Sequence, residues 1–272
     1  MIYICYHKDA PIVENEIMKP IQVGSAFSSQ RLNILQDDKG ISISQKNKHY
    51  CELTATYWIW KNSRENIVGL CHYRRFFNFK NNETKIFNLA SDFCNKFNLN
   101  KQILDDLMNK YDLILPLKKS SKKHPMSLYK FYAQEHIKSD MDVLLDVIKE
   151  KYPKQYKTAY NTLHESISGY YANMIIAKKK IFNDYAKWLF DILFEVEKRI
   201  ESDVLKRDSY QQRVYGFLSE RLMTVYVALH PKLKIKEVPV IFVEENKAKW
   251  RKYLLHQWIK KIFNFNKEKI HD

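Results

Sequence analysis

Glycine and proline are scarce in this 272-residue chain, five and seven respectively, and neither gathers into a run. That excludes a collagen-like or low-complexity protein and leaves no flexible linker to part the chain into separately folded units. No internal repeat occurs, so a solenoid or propeller is excluded as well. The four cysteines, Cys5, Cys51, Cys71 and Cys94, include no C-x-x-C pair. Cys5 and Cys71 lie inside apolar runs, and buried free thiols in a reducing cytoplasm are expected. No apolar stretch approaches the ~20 residues of a membrane-spanning helix. Asp9 and Pro11 interrupt the opening apolar run too soon for a signal peptide. The motifs G-x-x-x-x-G-K-[ST], G-x-G-x-x-G and G-x-S-x-G are all missing, which argues against P-loop, dinucleotide-binding and α/β-hydrolase chemistry.

What is present is apolar mass and positive charge. Hydrophobic residues make up 45% and aromatic residues 14% of the chain, enough for one large α/β core. The net charge of +15 favours an anionic partner: nucleic acid, an acidic membrane surface or phosphorylated ligands. The charge is uneven. Residues 247–272 hold eight Lys or Arg against Glu268 and Asp272, so the body is only moderately basic. The chain therefore divides into a domain over 1–246 and a basic amphipathic tail over 247–272. On a helix, Trp250, Leu254, Trp258 and Ile262 line one stripe, widened by Tyr253, Leu255 and Ile259, while Lys249, Lys252, His256 and Lys260 fall along another. Such a helix suits the headgroup layer of an anionic membrane; the alternative is that the stripe packs on the domain. A rival reading of the charge is a non-enzymatic RNA-binding or scaffolding protein. That reading wants a basic stripe on the body and an RNP-like aromatic-basic strand. Neither is visible, and no nucleic-acid partner is expected.

Short β-rich runs alternate with helical stretches. Strands are expected at residues 1–6, 67–71, 111–116, 172–177 and 235–243. Helices are expected over 50–62, 128–151, 179–200 and 209–229. Strands separated by helices indicate an α/β domain with a mostly parallel or mixed sheet, whose ligands lie beyond the carboxyl ends of the strands. The polar groups after those ends are His7 and Lys8, His72 to Arg75, and Lys118 with Lys119.

The run LCHYRRFF (70–77) is the strongest local signal. His72, Arg74 and Arg75 just after a buried strand suit a diphosphate, because guanidinium groups bind phosphate oxygens bidentately. Alternatively, both arginines form surface salt bridges while the aromatic residues pack. The only Asp-x-Asp triplet, Asp140-Met141-Asp142, falls inside the 128–151 helix, where residues two apart diverge, so it reads as fortuitous. Asp37-Asp38 in a polar loop is a second acidic pair, also common in plain turns. His136 and Asp140 are i,i+4 neighbours on the same expected helix, as a presented pair or a structural one. Glu220, in YQQRVYGFLSERL, is a candidate base for a hydroxyl, with a surface ion pair as its plain alternative. Trp58 and Trp60 are either sugar platforms or core.

Several motifs occur in order: PIQVGSA (20–26), DD-x-G-x-x-I-S-x-K-N (37–47), CELTA-x-YW-x-WKN (51–62), VGLCHYRRFF (68–77), YDLILP (111–116), ANMIIAKK (172–179), DYAKWLFDILFEVEKR (184–199) and QRVYGFLSERL (212–222). Over about residues 1–243 the chain resembles a family of bacterial capsule and O-antigen glycosyltransferases, long catalogued as a domain of unknown function. Some members are galactosyl- or galactofuranosyltransferases. The resemblance implies a compact GT-A-like nucleotide-sugar-binding fold with a mixed sheet, a UDP-sugar donor, and a lipid-linked or oligosaccharide acceptor. It places the enzyme in surface polysaccharide synthesis, in the cytoplasm or on the inner face of the membrane. Many GT-A enzymes carry Asp-x-Asp where this chain has His72-Tyr73-Arg74. The arginines would then stand in for a divalent cation on the diphosphate; no metal ligands are assigned, although Mn or Mg remains possible. By the same resemblance Gln22, Asp38 and Asn47 are candidates for nucleotide contact and Asn173 for contact with the donor sugar; His7, by its place at the end of the first strand, joins the nucleotide site. Glu220 or His136 would be the base if the enzyme inverts.

Overall fold

The computed structural model of the chain describes residues 1–80, 83–120 and 125–255. In chain order its strands are β1 (Ile2–Tyr6), β2 (Met18–Gln22), β3 (Leu35–Gln36), β4 (Ile67–His72), β5 (Arg75–Phe77), β6 (Lys85–Phe87), β7 (Leu113–Pro116), β8 (Lys119–Ser120), β9 (Ser168–Gly169), β10 (Ile175–Lys178), β11 (Ile235–Val238) and β12 (Val240–Glu244). Its helices are α1 (Asn47–Tyr50), α2 (Leu53–Asn62), α3 (Phe93–Lys96), α4 (Lys101–Lys110), α5 (Leu128–Glu135), α6 (Lys138–Lys151), α7 (Pro153–Glu165), α8 (Lys179–Val204) and α9 (Val214–Leu229).

The main sheet runs β11-β7-β10-β4-β1-β2-β3, and β5, β12 and β6 branch from β4. Strand β1 is parallel to both β2 and β4, whereas β10 is antiparallel to both β4 and β7. The sheet is thus mixed, in an α/β domain, as the alternation of apolar runs predicts. Its central strands β1, β4 and β7 are near-continuous apolar runs because both faces are covered. Tyr3 and Cys5 of β1 point into one core with α2 and α5 to α9, while Ile2, Ile4 and Tyr6 point into a second core with α3 and α4. Strands β7 and β10 alternate in the same way. Gly69 in β4 is required by this packing: a Cβ there would stand 2.7 Å from Ile176 Cγ1 and 2.9 Å from the Ile175 carbonyl oxygen.

Element boundaries differ from expectation at several breaks, most of them made without glycine or proline. The helix expected over 128–151 is two helices, because His136 and Ile137 are extended. The break orients Asp140 toward Arg207, which binds it through two hydrogen bonds of 2.7 Å with both side chains buried. His136 and Asp140 therefore do not share a helical face. Asp140-Met141-Asp142 does lie in a helix, and Asp142 is engaged by Lys138 at 2.7 Å. The helix expected over 50–62 is interrupted at Cys51, whose φ is +52°. The run expected as one strand over 235–243 divides at Pro239 into β11, which pairs with β7, and β12, which pairs with β5 and β6. The strand expected from Ala172 begins only at Ile175. Helix α8 runs on to Val204, and α9 follows a tight turn at Gln211–Arg213.

All four cysteines are free, with Cys5 and Cys71 buried. Among the described residues no helix is long and apolar enough to cross a membrane. Residues 247–255 are helical. Trp250 of the apolar stripe stacks on Phe87 of β6 at 5.8 Å, as in the packed alternative, while Leu254 and Leu255 are exposed. The remainder of the stripe, Trp258, Ile259 and Ile262, lies outside the described residues with His256 and Lys260.

Candidate active site

Strands β1 and β4 end at a cleft of about 760 Å³, within the roughly 300–1,000 Å³ of small-molecule sites. Strand β1 delivers His7 to it and β4 delivers His72. A two-residue turn, Tyr73-Arg74, then folds β5 back on β4 so that Arg75 lies opposite His72. Arg74 lies over the rings of Tyr73 and Phe242, at 5.3 and 5.6 Å, with Glu245 3.9 Å away. Arg75 is exposed and has no ion pair among the described residues. Arg213, from the turn before α9, adds a third guanidinium and donates through Nε to Cys51 Sγ at 3.2 Å. This end of the cleft is cationic. The charge also acts on His7, whose proton affinity is lowered by burial first and then by Lys8 and Arg74.

Deeper in the cleft, a strained turn organises two carboxylates. Ala172 and Asn173 have φ of +74° and +49°, the left-handed region that non-glycine residues rarely adopt. The Ala172 amide donates to Glu220 Oε1 at 2.7 Å, and its carbonyl lies 2.6 Å from His72 Nε2. Asn173 Nδ2 donates to Glu52 Oε1 at 2.8 Å and to the Gly216 carbonyl, and Asn173 Oδ1 accepts from Ser219. Two adjacent residues thus tie Glu220, Glu52 and His72 into one network, which is the compensation such backbone strain requires. The Glu220 pKa is raised, chiefly by burial and further by the charge of Glu52, against the opposing pull of Arg221 and the Ala172 amide. Burial likewise lowers the His72 pKa, with Glu52 opposing. Cys51, also in the cleft, is pushed up to about 12 by burial and stays a thiol rather than a nucleophile.

Of the residues expected from sequence, His7, Asn47, His72, Arg74, Arg75, His136 and Glu220 meet in this cleft. His136 is there as part of an aromatic wall, its ring 4.0 Å from Phe217, and burial followed by Arg221 lowers its pKa to about 4. A group so reluctant to hold a proton is a poor general base. Gln22 and Asp38 are elsewhere. The Gln22 amide is buried and joins Ser28, the Gln30 carbonyl and the Leu32 amide, tying a loop, while Asp38 pairs with Arg31 at 2.7 Å. The neighbouring Asp37 is fully buried and accepts from the amides of Gly24 and Ser25. Asn173 does not line the cleft; both ends of its amide are engaged by protein, so it positions other groups. Trp58 packs edge-on against Tyr3 and Trp60 stacks on Phe190, both away from the cleft. Lys118 faces Glu237 instead. The sequence reading gave no role to Glu52, although it stands within CELTA, nor to Arg221 and Tyr171.

Among the described residues no three His, Cys, Asp or Glu side chains are grouped to hold a metal. The cleft's strand-end mouth presents guanidinium groups, which neutralise phosphate directly.

Residues 1–231 match the family described as Domain of unknown function (DUF4422). No curated protein matches the chain. Among solved structures, the apo structure of WbbM, a bifunctional glycosyltransferase, is similar, with a TM-score of 0.83 and 32% identity. The match covers 90% of this chain but 45% of WbbM, so the chain spans less than half of that protein.

Proposed function

The chain belongs to the DUF4422 family, and from that membership and the chemistry of the cleft we propose that it is a glycosyltransferase using a UDP-sugar donor. The observation that carries the reading is the juxtaposition, in one cleft at the sheet's carboxyl edge, of Arg74, Arg75 and Arg213 with the buried carboxylate of Glu220. The likeness to WbbM supports the same reading. The donor is a hexose, galactose or galactofuranose, and the acceptor is a lipid-linked oligosaccharide of capsule or O-antigen synthesis. An acceptor hydroxyl oxygen attacks the anomeric carbon as the bond from that carbon to the diphosphate breaks. The diphosphate leaves with the electron pair toward the arginines, and the hydroxyl proton passes to Glu220. Glu52 holds Asn173, and its charge strengthens Glu220 as a base.

A thermal-shift series with UDP, UDP-hexoses and ADP tests this. A UDP-hexose at 100 times its Kd should stabilise the protein by about 2.7 kcal/mol, ADP should do much less, and EDTA should abolish neither binding nor transfer. The proposal fails if no uridine nucleotide shifts the protein. Loss of transfer in EDTA with rescue by Mn²⁺ would overturn the metal-independent part.

The catalytic domain, residues 1–246, works at the inner face of the membrane, where a lipid-linked acceptor is presented, and the tail from 247 holds it there. The exposed Leu254 and Leu255 and the tail's basic residues fit an anionic surface, each cation adding about 1 kcal/mol. The full chain should co-sediment with anionic vesicles at low salt and be released by high salt, whereas a chain ending at Asn246 should stay in the supernatant while remaining folded. Equal behaviour of the two chains would remove the tail's role.

A further inference from the structure

The diphosphate accounts for the arginines of the cleft, but the wall built by α5, α9 and the segments before β10 and α9 is aromatic. Phe131 and Tyr171 meet edge to face at 6.1 Å, and Tyr210 lies 5.1 Å from Phe217, which in turn stacks on His136. Tyr210 is 51% exposed within the cleft lining, an arrangement that packing alone does not require. Arg221 is 3% exposed, with its guanidinium 5.9 Å from the Phe131 ring and 5.3 Å from Tyr171. Two polar atoms of this wall, Arg221 Nε and His136 Nδ1, are buried without a hydrogen-bond partner. Buried polar atoms are rarely left unpaired in native structures, and each exception asks for an explanation. Both residues line the cleft, although the two atoms themselves are covered by protein rather than open to it.

The charge of this wall narrows the ligand. The Arg221 guanidinium is already engaged with Glu220 Oε2 at 3.0 Å and with the Phe217 carbonyl. His136 is neutral except in strong acid. The remaining cation is Arg213, 6.0 Å from the Tyr210 ring and 5.4 Å from Phe217, which marks the boundary with the diphosphate arginines; beyond it the wall offers flat apolar faces beside a few hydrogen-bonding groups. That combination suits a pyranose ring, whose C–H face is apolar and whose edge carries hydroxyls.

We propose that this aromatic wall is the acceptor subsite and takes the terminal, uncharged pyranose of the acceptor glycan, stacked on the side chains of Tyr210, Phe217 and Tyr171 with hydroxyls toward His136 and Arg221. The proposal rests on the glycosyltransferase reading of the cleft. Glu220 lines the same cleft and pairs with Arg221 of this wall, so it is the carboxylate that would take the proton from a hydroxyl of the stacked sugar.

Saturation-transfer NMR on the full chain with a panel of neutral octyl hexopyranosides, in the presence of saturating UDP, tests it. At least one pyranoside should receive saturation on its ring protons. Tyr210→Ala and Phe217→Ala should bind it about tenfold more weakly while retaining UDP affinity, and Tyr210→Phe, which keeps the ring, should bind it as wild type does. The proposal is overturned if no pyranoside binds, if UDP displaces it, as a uracil ring stacked on this wall would, or if both alanine variants bind it unchanged. Failure of wild type to bind UDP in a separate titration would sink the donor reading instead, and the pyranoside titration would still decide the subsite.

Discussion

Replacing Glu220 by Gln is expected to lower kcat by about 10²–10⁴-fold with UDP affinity nearly unchanged, the signature of a lost general base. Gln keeps the shape and the acceptor atom that faces the Ala172 amide, removes basicity, and gives up the bond from Arg221 to the second oxygen. Two donors hold the carboxylate, the Ala172 amide and Arg221 Nη1, and both favour its charged form. Burial and the nearby Glu52 outweigh them, and the pKa is raised from the 4.5 of an ordinary Glu. The working form is deprotonated, so activity should fall as pH drops through this raised pKa. The acid limb of the kcat/KM profile should therefore lie above the position of an ordinary glutamate and vanish in Glu220→Gln. Glu52→Gln removes a negative neighbour while keeping an acceptor for Asn173, so it should move that limb to lower pH and retain most turnover. If Glu220→Gln weakens UDP as much as it slows transfer, or keeps the limb, Glu220 is a binding or structural residue.

Much of this frame can be read from the chain because burial on both faces makes a strand conspicuous. IYICY, IVGLC and LILP are unbroken apolar runs for that reason, and the polar residues behind the first two are those that meet in the cleft. The motif LCHYRRFF is legible for the same cause: a tight turn after a buried strand leaves Arg74 and Arg75 facing the cleft. The second half of the site is not legible in this way. Ala172 carries no mark of a left-handed conformation, which is sustained only by bonds to Glu220 and His72 from other elements. The pairing of Glu52 with Asn173 is equally non-local. Nor does anything near His136 announce a helix break, and the partner that Asp140 finds beyond it, Arg207, is distant in the chain. Gln22 and Asp38 belong to matching motifs, yet these residues tie loops and do not line the cleft. A motif match identifies positions that matter without distinguishing contact from support.

Arg75→Ala should lower kcat by about 10²–10³-fold in a folded protein, the effect of removing one donor aimed at a departing charge. The leaving diphosphate gains negative charge as the anomeric bond breaks, so a cation that is unpaired in the resting protein stabilises the transition state most. Arg75 meets that condition: it has no ion pair among the described residues, and its charge is felt at both His72 and Glu220. Arg74 does not meet it as well, being flanked by Tyr73 and Phe242 with Glu245 3.9 Å away. Arg74→Ala should accordingly cost less, about tenfold, and mostly in donor KM, as a partner that binds ground state and transition state alike. Arg75→Lys retains the charge but loses the bidentate fork, and should recover only part of the rate. Steady-state kinetics of the three variants, with UDP titrations as the control for folding and binding, decide the assignment. Turnover near wild type in Arg75→Ala would move the leaving-group site away from the β4–β5 turn, toward Arg213.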